Sequence, residues 1–200
     1  MKFRYDLLNF LISNFGLKSY LEIGYQNGIC YDNIKISEKN AVDPYPNMKK
    51  DNTLKVMTSD NFFKTNTKKY DIIFIDGLHT YDQVKEDFKN SIKALNNGGF
   101  IVLHDMNPSS EERAKSFSDG GVWNGDCFKL AIDFYNGYND FEYITLNMDQ
   151  GCMVVMTSNK KESINVESIE NNYKSFDENR NEILNLITPD DFVKKYKIDE

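Results

Sequence analysis

Five short apolar segments of this sequence each end in polar, mostly acidic side chains. Those side chains belong to Glu22, Asp43, Ser59, Asp60, Asp76, His104 and Asp105. In a parallel sheet the carboxyl ends of the strands lie along one edge, where ligands bind. Carboxylates there can accept hydrogen bonds from ligand hydroxyl groups, bind a metal ion or orient a general base. A single aspartate often ends a strand before a turn, whereas a complete row of polar strand ends indicates a ligand site.

The only two histidines of the chain, His79 and His104, both lie in these strand-end segments. A histidine suits the general-base role because its ordinary pKa, about 6.5, allows it to accept a proton at neutral pH. We favour His79 as the base, with His104 as a further catalytic candidate. For His104, strand alternation predicts a side chain that points away from Asp105 and packs beneath the site. Three roles are open for Asp105: a base, a metal ligand, or the carboxylate that orients His79.

The turn after the first strand, "EIGYQNG", contains two glycines, Gly24 and Gly28. Glycines allow a tight turn and a close approach of the backbone to a ligand. A dinucleotide-binding fingerprint would need further glycines where Gln26 and Ile29 stand, and no GK[ST] follows for a phosphate-binding loop. The turn therefore disfavours a nicotinamide-dependent oxidoreductase. A plain strand-to-helix turn is the alternative interpretation.

The elements that must position these side chains alternate between strands and helices. The predicted strands are "SYLEIG", "NAVD", "LKVMTS", "YDIIFID" and "GFIVLHD". Their continuous apolar character is typical of a parallel sheet with helices on both faces, an α/β fold. Two later segments, "FEYITLNM" and "GCMVVMTS", are predicted to form an antiparallel hairpin through the loop from Asp149 to Gly151.

The helices between these strands are predicted from apolar spacing and capping signals. An amphipathic helix opens the chain and ends near Gly16. The clearest helix begins with a capping box from Thr80 to Gln83 and ends at Gly98. Ser59 or Asp60 is a candidate N-cap for the helix that contains "NFFKTN", although an adenine contact is equally open for either residue.

Composition and charge exclude several classes of function. The chain has 200 residues and a formal net charge of −7, with no basic stripe of the kind that binds nucleic acid. No apolar run approaches the roughly 20 residues that span a bilayer, and no signal-peptide core is present, so we expect a cytoplasmic protein without a membrane partner. Cys30, Cys127 and Cys152 are widely spaced and are expected to be reduced.

The composition changes near residue 159 to asparagine, lysine, glutamate and serine. Phe176, Ile183, Leu184 and Ile187 still have helical spacing, and Pro189 is placed to begin a short helix. We therefore divide the chain into a domain over residues 1–158 and a helical extension over residues 159–200. The apolar face of the extension is expected to pack on the domain or on a partner subunit, which makes a homodimer plausible.

Taken in order, the segments "YLEIGYQNG", "VDPYP", "TSDNFF", "YDIIFIDGLHTYDQVKEDF" and "LNNGGFIVLHDMNP" resemble the class I S-adenosylmethionine-dependent methyltransferases. The similarity is greatest to the small branch that includes catechol-type and macrocin-type O-methyltransferases. It implies a Rossmann-like, doubly wound, seven-stranded, mostly parallel sheet of order 3-2-1-4-5-7-6, in which strand 7 is antiparallel.

The resemblance also implies a set of cofactor-binding residues. The methionine-side turn would comprise Glu22, Gly24, Tyr25, Asn27 and Gly28. Asp43 would bind the ribose hydroxyls, Ser59 and Asp60 would lie near the adenine, and Asp76 would begin the loop at the reacting end.

In catechol-type members, Mg²⁺ is held by the aspartate that ends strand four and by an Asp-Asn pair that ends strand five. The matching positions here are Asp76, Asp105 and Met106. A thioether is a poor ligand for magnesium, so Asp76 and Asp105 are possible metal ligands only. Asn107 or His104 could replace the missing ligand, although each lies one position off register. The position of the catalytic lysine in that branch is His79 here, so a metal-free mechanism with a histidine base is also open.

The segment "GGVWNGD" at residues 120–126 lies where this superfamily commonly builds its acceptor pocket. Trp123 either stacks on a flat acceptor or sugar face, or packs the next helix onto the sheet. We therefore expect methyl transfer from S-adenosylmethionine to an oxygen nucleophile on a small molecule or sugar. A non-catalytic module that binds S-adenosylmethionine or another nucleotide is the alternative, and an NAD-dependent oxidoreductase is a weaker one.

Overall fold

A single mixed sheet of eight strands organises the fold. The computed structural model describes residues 1–48, 52–118, 120–138, 140–157 and 168–198. The strands are β1 (Ser19–Ile23), β2 (Glu38–Val42), β3 (Leu54–Lys55), β4 (Tyr70–Ile75), β5 (Leu95–Leu103), β6 (Phe141–Leu146), β7 (Cys152–Thr157) and β8 (Leu186–Ile187). Their order in the sheet is β3-β2-β1-β4-β5-β7-β6-β8. The predicted order is confirmed, with one additional strand at the edge.

Strand directions also agree with the prediction. Strands β1 to β5 run parallel, whereas β7 is antiparallel to both β5 and β6. The helices are α1 (Arg4–Asn14), α2 (Ile29–Asn33), α3 (Ser59–Thr65), α4 (Tyr81–Ala94), α5 (Phe128–Gly137), α6 (Tyr173–Glu178), α7 (Arg180–Leu184) and α8 (Pro189–Tyr196). None of the described helices has both the length and the apolar character needed to cross a membrane.

Helices cover both faces of the sheet because successive strand side chains point to opposite sides. In β4, Ile73 and Ile75 pack in one core cluster with Phe88 of α4, while Ile72 and Phe74 pack in the other. Helices α1, α2 and α8 contribute to this second cluster, and α3 to α7 contribute to the first. The sheet therefore has a packed apolar core on each of its two faces.

One predicted capping contact and two predicted helix boundaries are wrong. Helix α4 begins after Thr80, but the Thr80 side chain makes no capping bond; instead the backbone N–H of Tyr81 donates to Asp126 Oδ1 at 2.7 Å. This helix ends at Ala94 rather than Gly98, because Leu95 already begins β5. Helix α3 is capped by Thr58, whose side chain accepts from the backbone of Asn61, so Ser59 and Asp60 are its first residues.

The described part of the C-terminal extension, residues 168–198, packs on the domain. Phe176 of α6 and Leu184 of α7 are fully buried in the first core cluster, and Phe192 of α8 is buried in the second. Between them, β8 pairs with β6 at the edge of the sheet, so Ile187 lies in a strand and not in the predicted helix. The boundary proposed between residues 158 and 159 falls outside the described residues.

Candidate active site

A cavity of about 840 Å³ lies at the carboxyl ends of β1, β2, β4 and β5. This volume is within the ~300–1,000 Å³ range of small-molecule sites. The cavity brings together nearly all of the predicted site residues: Glu22, Gly24, Tyr25, Asn27, Asp43, Ser59, Asp60, Asp76, His79, His104 and Asp105 line it. Gly28 does not line it; this residue has a φ of 75° and caps the start of α2.

Glu22 is one of two acidic residues of the cavity wall with only 1 % of their surface exposed. Its Oε2 accepts a hydrogen bond from the Tyr20 hydroxyl, whereas Oε1 has no hydrogen-bond partner among the described residues. Burial raises the pKa of Glu22 to about 8. A buried oxygen without a partner is costly unless a ligand supplies one, so Glu22 fits a ligand with a hydrogen-bond donor.

The segments that follow β1, β2 and β4 are in close contact through their backbones. Gly24 has a φ of 95°, and a Cβ at this position would lie 1.9 Å from the carbonyl oxygen of Asp76. Only glycine therefore fits where the two strand ends meet. Next to it, the backbone N–H of Gln26 donates to Asp43 Oδ2 at 2.7 Å. The Asp43 carboxylate thus fixes the turn after β1 and still has lone pairs for a ligand.

The Gln83 amide of α4 lies within hydrogen-bond distance of Ser59 and Asp60, the two residues that were predicted to lie near an adenine. The Gln83 amide lies 3.3 Å from Ser59 Oγ, 3.2 Å from Asp60 Oδ1 and 3.1 Å from Asp87 Oδ1. Asp87 also lines the cavity, and burial raises its pKa to about 6. Sequence patterns did not single out Asp87, although an aspartate on the apolar face of an amphipathic helix is an unusual feature.

At the other end of the cavity, His79 faces two carboxylates. Its Nε2 lies 3.4 Å from Asp76 Oδ1 and 3.3 Å from Asp105 Oδ2, and its Nδ1 lies 3.4 Å from the Trp123 carbonyl oxygen. The Trp123 ring stacks on the imidazole with centroids 5.2 Å apart. A Cβ on Gly125 would lie 1.7 Å from the His79 carbonyl oxygen, so the loop packs closely against His79. These contacts fix the orientation of the imidazole and aim Nε2 at the cavity.

The prediction for the orientation of His104 is wrong. Its Nδ1 lies 2.8 Å from Asp105 Oδ2 and 3.2 Å from Asp76 Oδ1. The physical reason is that β5 ends at Leu103 and Asp105 has a φ of 61°, so strand alternation no longer applies to this pair. His104 is only 4 % exposed, and it joins the two carboxylates from within the protein.

Two further charged residues at this end of the cavity, Arg4 and Asp149, were not predicted. Arg4, the first residue of α1, forms an ion pair with Asp76 through its NH1 group. Its Nε and backbone N–H both donate to Asp149 Oδ2, at 3.1 and 2.8 Å. A cation at a helix N-terminus is unfavourable for the helix dipole, and this misplacement is the one sequence signal that pointed to a partner for Arg4.

The charges in this cluster shift one another's pKa values. Burial lowers the pKa of His104, but the carboxylates of Asp76 and Asp105 outweigh burial and raise it well above its ordinary value. Burial likewise lowers the pKa of His79, and Asp76 and Asp105 reverse the effect, so that it too is raised. Burial would raise the pKa of Asp76, but His104, His79 and Arg4 hold it well below its usual range.

The residues present do not fit the magnesium ion that the resemblance implies. Met106, at the third ligand position, is fully buried in the core, and the Asn107 amide oxygen accepts from Arg180 at 2.5 Å. Asp76 is paired with Arg4, and Asp105 Oδ1 accepts from Asn124 at 2.7 Å. Among the described residues, Asp76, His79 and Asp105 place ligand atoms within 4.8 Å of one another, but a set with an imidazole suits a transition metal better than magnesium.

Comparison with known proteins supports the same fold. A family model described as a methyltransferase domain matches residues 21–106. No curated protein sequence matches the chain. The matched region begins in β1 and ends just after β5, so it contains every strand end that lines the cavity. The methyltransferase resemblance drawn from the motifs is thereby confirmed.

Solved structures of methyltransferases share the architecture at low sequence identity. The methyltransferase PaMTH1 of Podospora anserina, solved with S-adenosylhomocysteine (SAH), is 15% identical with a TM-score of 0.59, and the match covers 78% of this chain and 78% of that chain. The O-methyltransferase TomG of Streptomyces achromogenes, solved with S-adenosylmethionine, is 14% identical with a TM-score of 0.54, and the match covers 78% and 79%. An O-methyltransferase of Bacillus cereus, solved with SAH, is 14% identical with a TM-score of 0.50, and the match covers 78% and 80%. At these identities the comparison concerns the fold.

Proposed function

Because residues 21–106 match a family model described as a methyltransferase domain, we propose that the protein transfers the methyl group of S-adenosylmethionine to an oxygen nucleophile on a small molecule or a sugar. The observation that carries this proposal is one continuous cavity with two chemically different ends. Glu22, Asp43 and Ser59 line one end, and His79 faces Asp76 and Asp105 at the other. The first end suits the donor, and the second end suits deprotonation of an acceptor.

The donor end offers groups that match the parts of S-adenosylmethionine. Glu22 Oε1, buried and without a partner among the described residues, suits the ammonium group of the methionine moiety. The Asp43 carboxylate suits the ribose hydroxyls, and Ser59 and Asp60 lie beside Gln83 where the adenine would bind. The structural neighbours solved with SAH or S-adenosylmethionine support this choice of cofactor.

At the acceptor end, His79 acts as the general base. When bound, the cofactor supplies an electrophilic methyl group on a sulfonium sulfur. His79 Nε2 would take the proton of the acceptor hydroxyl as that oxygen accepts the methyl group, leaving SAH as the second product. Asp76 and Asp105, at 3.4 and 3.3 Å, stabilise the imidazolium that results. Leu78 and Val122, which are exposed at the mouth, provide an apolar surface for the acceptor.

Calorimetry and a turnover assay test the proposal. We expect wild-type protein to bind SAH and to produce it from S-adenosylmethionine with at least one member of a panel of phenols, catechols and free hexoses. His79→Ala should still bind SAH but lose turnover. Failure of the wild-type protein to bind either ligand would refute the proposal, and binding without turnover on any acceptor would favour the non-catalytic alternative.

A further inference from the structure

We propose that the guanidinium of Arg4 takes the place of a divalent cation at the acceptor end of the cavity. In this proposal Arg4 is the fixed positive charge beside Asp76, the site excludes divalent metal ions while Arg4 is in place, and methyl transfer is independent of metal. The role of this charge in methyl transfer rests on the function proposed above. The exclusion of metal ions does not depend on that function.

The first argument is the way Arg4 is held. Three hydrogen bonds connect it to Asp149: the backbone N–H and Nε donate to Oδ2 at 2.8 and 3.1 Å, and NH2 donates to Oδ1 at 3.4 Å. Asp149 lies in the turn between β6 and β7, 145 residues away along the chain. The Asp149 carboxylate accepts hydrogen bonds from both the backbone and the side chain of Arg4, and these bonds fix the direction of the guanidinium. Its NH1 group then pairs with Asp76.

The second argument is the position of that NH1 group. It pairs with Oδ2 of Asp76. The same carboxylate would be a ligand of any metal ion that His79 and Asp105 also bind. The NH1 group also lies 3.5 Å from His104 Nδ1. A divalent ion among these ligand atoms would lie close to a guanidinium that stays protonated at any ordinary pH, and the two cations would repel each other.

The third argument is the balance of charge. Three carboxylates converge at this end, those of Asp76, Asp105 and Asp149. Arg4 supplies a permanent positive charge among them without any ion. The side chain of Arg4 is 29% exposed and that of Asp76 is 14% exposed, so water screens the pair only in part. The first turn of a helix favours negative charge, yet α1 begins with Arg4. This indicates that the tertiary site, and not the helix, requires the positive charge.

The experiment measures binding of Mn²⁺ alone by the loss of its free electron paramagnetic resonance signal. Wild-type protein and the charge-retaining Arg4→Lys are expected to leave the signal unchanged. The neutral Arg4→Gln should bind Mn²⁺ at least about tenfold more tightly than wild type, because one positive charge has left the site. Adding Asp105→Asn to Arg4→Gln removes a candidate ligand and should abolish the gain, which separates this site from nonspecific binding by an acidic protein.

Binding of Mn²⁺ by wild-type protein that disappears in Asp105→Asn would overturn the proposal, and so would an Arg4→Gln protein that retains SAH binding but gains no affinity for Mn²⁺. If Arg4→Gln does not fold, the wild-type titration and the EDTA sensitivity of wild-type turnover still decide: loss of turnover that Mg²⁺ restores would overturn the proposal. SAH calorimetry on the same samples reports on the proposed function, so failure of one proposal is distinguishable from failure of the other.

Discussion

Replacing His79 by alanine should lower the rate of methyl transfer by about 10²- to 10⁴-fold, the usual contribution of a positioned general base. The affinity for SAH should stay within a few fold, because His79 lies at the acceptor end and not beside Glu22 or Asp43. Rates would be measured as SAH formation with the best acceptor of the panel, and affinities by calorimetry. A loss of less than about tenfold would refute the assignment of His79 as the base.

The pH dependence of the wild-type rate gives a second, independent test of the same residue. His79 can accept a proton only when it is neutral, and its pKa is raised because Asp76 and Asp105 outweigh burial. The neutral fraction grows as pH rises through that raised pKa. The rate should therefore increase with pH, with a midpoint above the ordinary histidine value of about 6.5. A flat profile, or a midpoint below that value, would contradict the geometry.

Two variants should move that midpoint in opposite directions. A unit charge 3.3 Å from His79 Nε2 contributes about 1 kcal/mol in a water-like dielectric and about 5 kcal/mol at an effective dielectric of about 20. Loss of this charge in Asp105→Asn should therefore shift the midpoint to lower pH. The matched control is His104→Gln: a protonated His104 lowers the pKa of His79, so its removal should shift the midpoint to higher pH. Identical midpoints in all three proteins would exclude His79 as the titrating group.

Three further predictions concern the donor end and the extension. Burial raises the pKa of Glu22 to about 8, and Glu22 should ionise on contact with the cofactor ammonium. SAH binding near pH 7 should therefore release about one proton. Calorimetry in buffers of different ionisation enthalpy would detect this release, which should be absent in Glu22→Gln. Asp43→Ala should weaken SAH binding by about 10- to 150-fold, since a hydrogen bond to a charged group contributes about 1.5–3 kcal/mol; unchanged affinity would remove Asp43 from the ribose site. Phe176→Ala should lower the free energy of unfolding by about 3–5 kcal/mol in urea, because Phe176 is fully buried, whereas the exposed control Phe117→Ala should change it by about 0.5 kcal/mol or less.

The candidate site was largely predictable from the sequence because its geometry follows from the topology. Apolar segments that alternate with helices predict a parallel sheet, and a parallel sheet places all of its carboxyl ends on one edge. Glu22, Asp43, Asp76 and Asp105 are far apart along the chain and still line one cavity for that reason. The family model over residues 21–106 covers the same segment that the motifs indicated.

Local signals were less reliable wherever a distant partner decided the outcome. At the start of α4, the Tyr81 backbone N–H donates to the Asp126 carboxylate, which lies in the loop before α5, and the predicted capping box does not form. The orientation of His104 depends on the positive φ of Asp105, and no period-two pattern contains that information. Helix-capping motifs and strand alternation predict the contacts of isolated elements. These predictions fail where tertiary packing brings a different hydrogen-bond partner to the same group.

The sequence by itself determined the alternation of strands with helices and the row of strand-end groups, since these follow from periodicity and chain order. The sheet order came from the resemblance to class I methyltransferases, and the choice of His79 as base stays a prediction. Only the tertiary structure decided that Arg4 from the first helix and Asp149 from the last hairpin close the acceptor end. The physical reason is separation: an ion pair between residues 145 positions apart leaves no periodic trace in the chain. Its position is fixed only once the core has brought α1 and the β6–β7 turn to the same edge of the sheet.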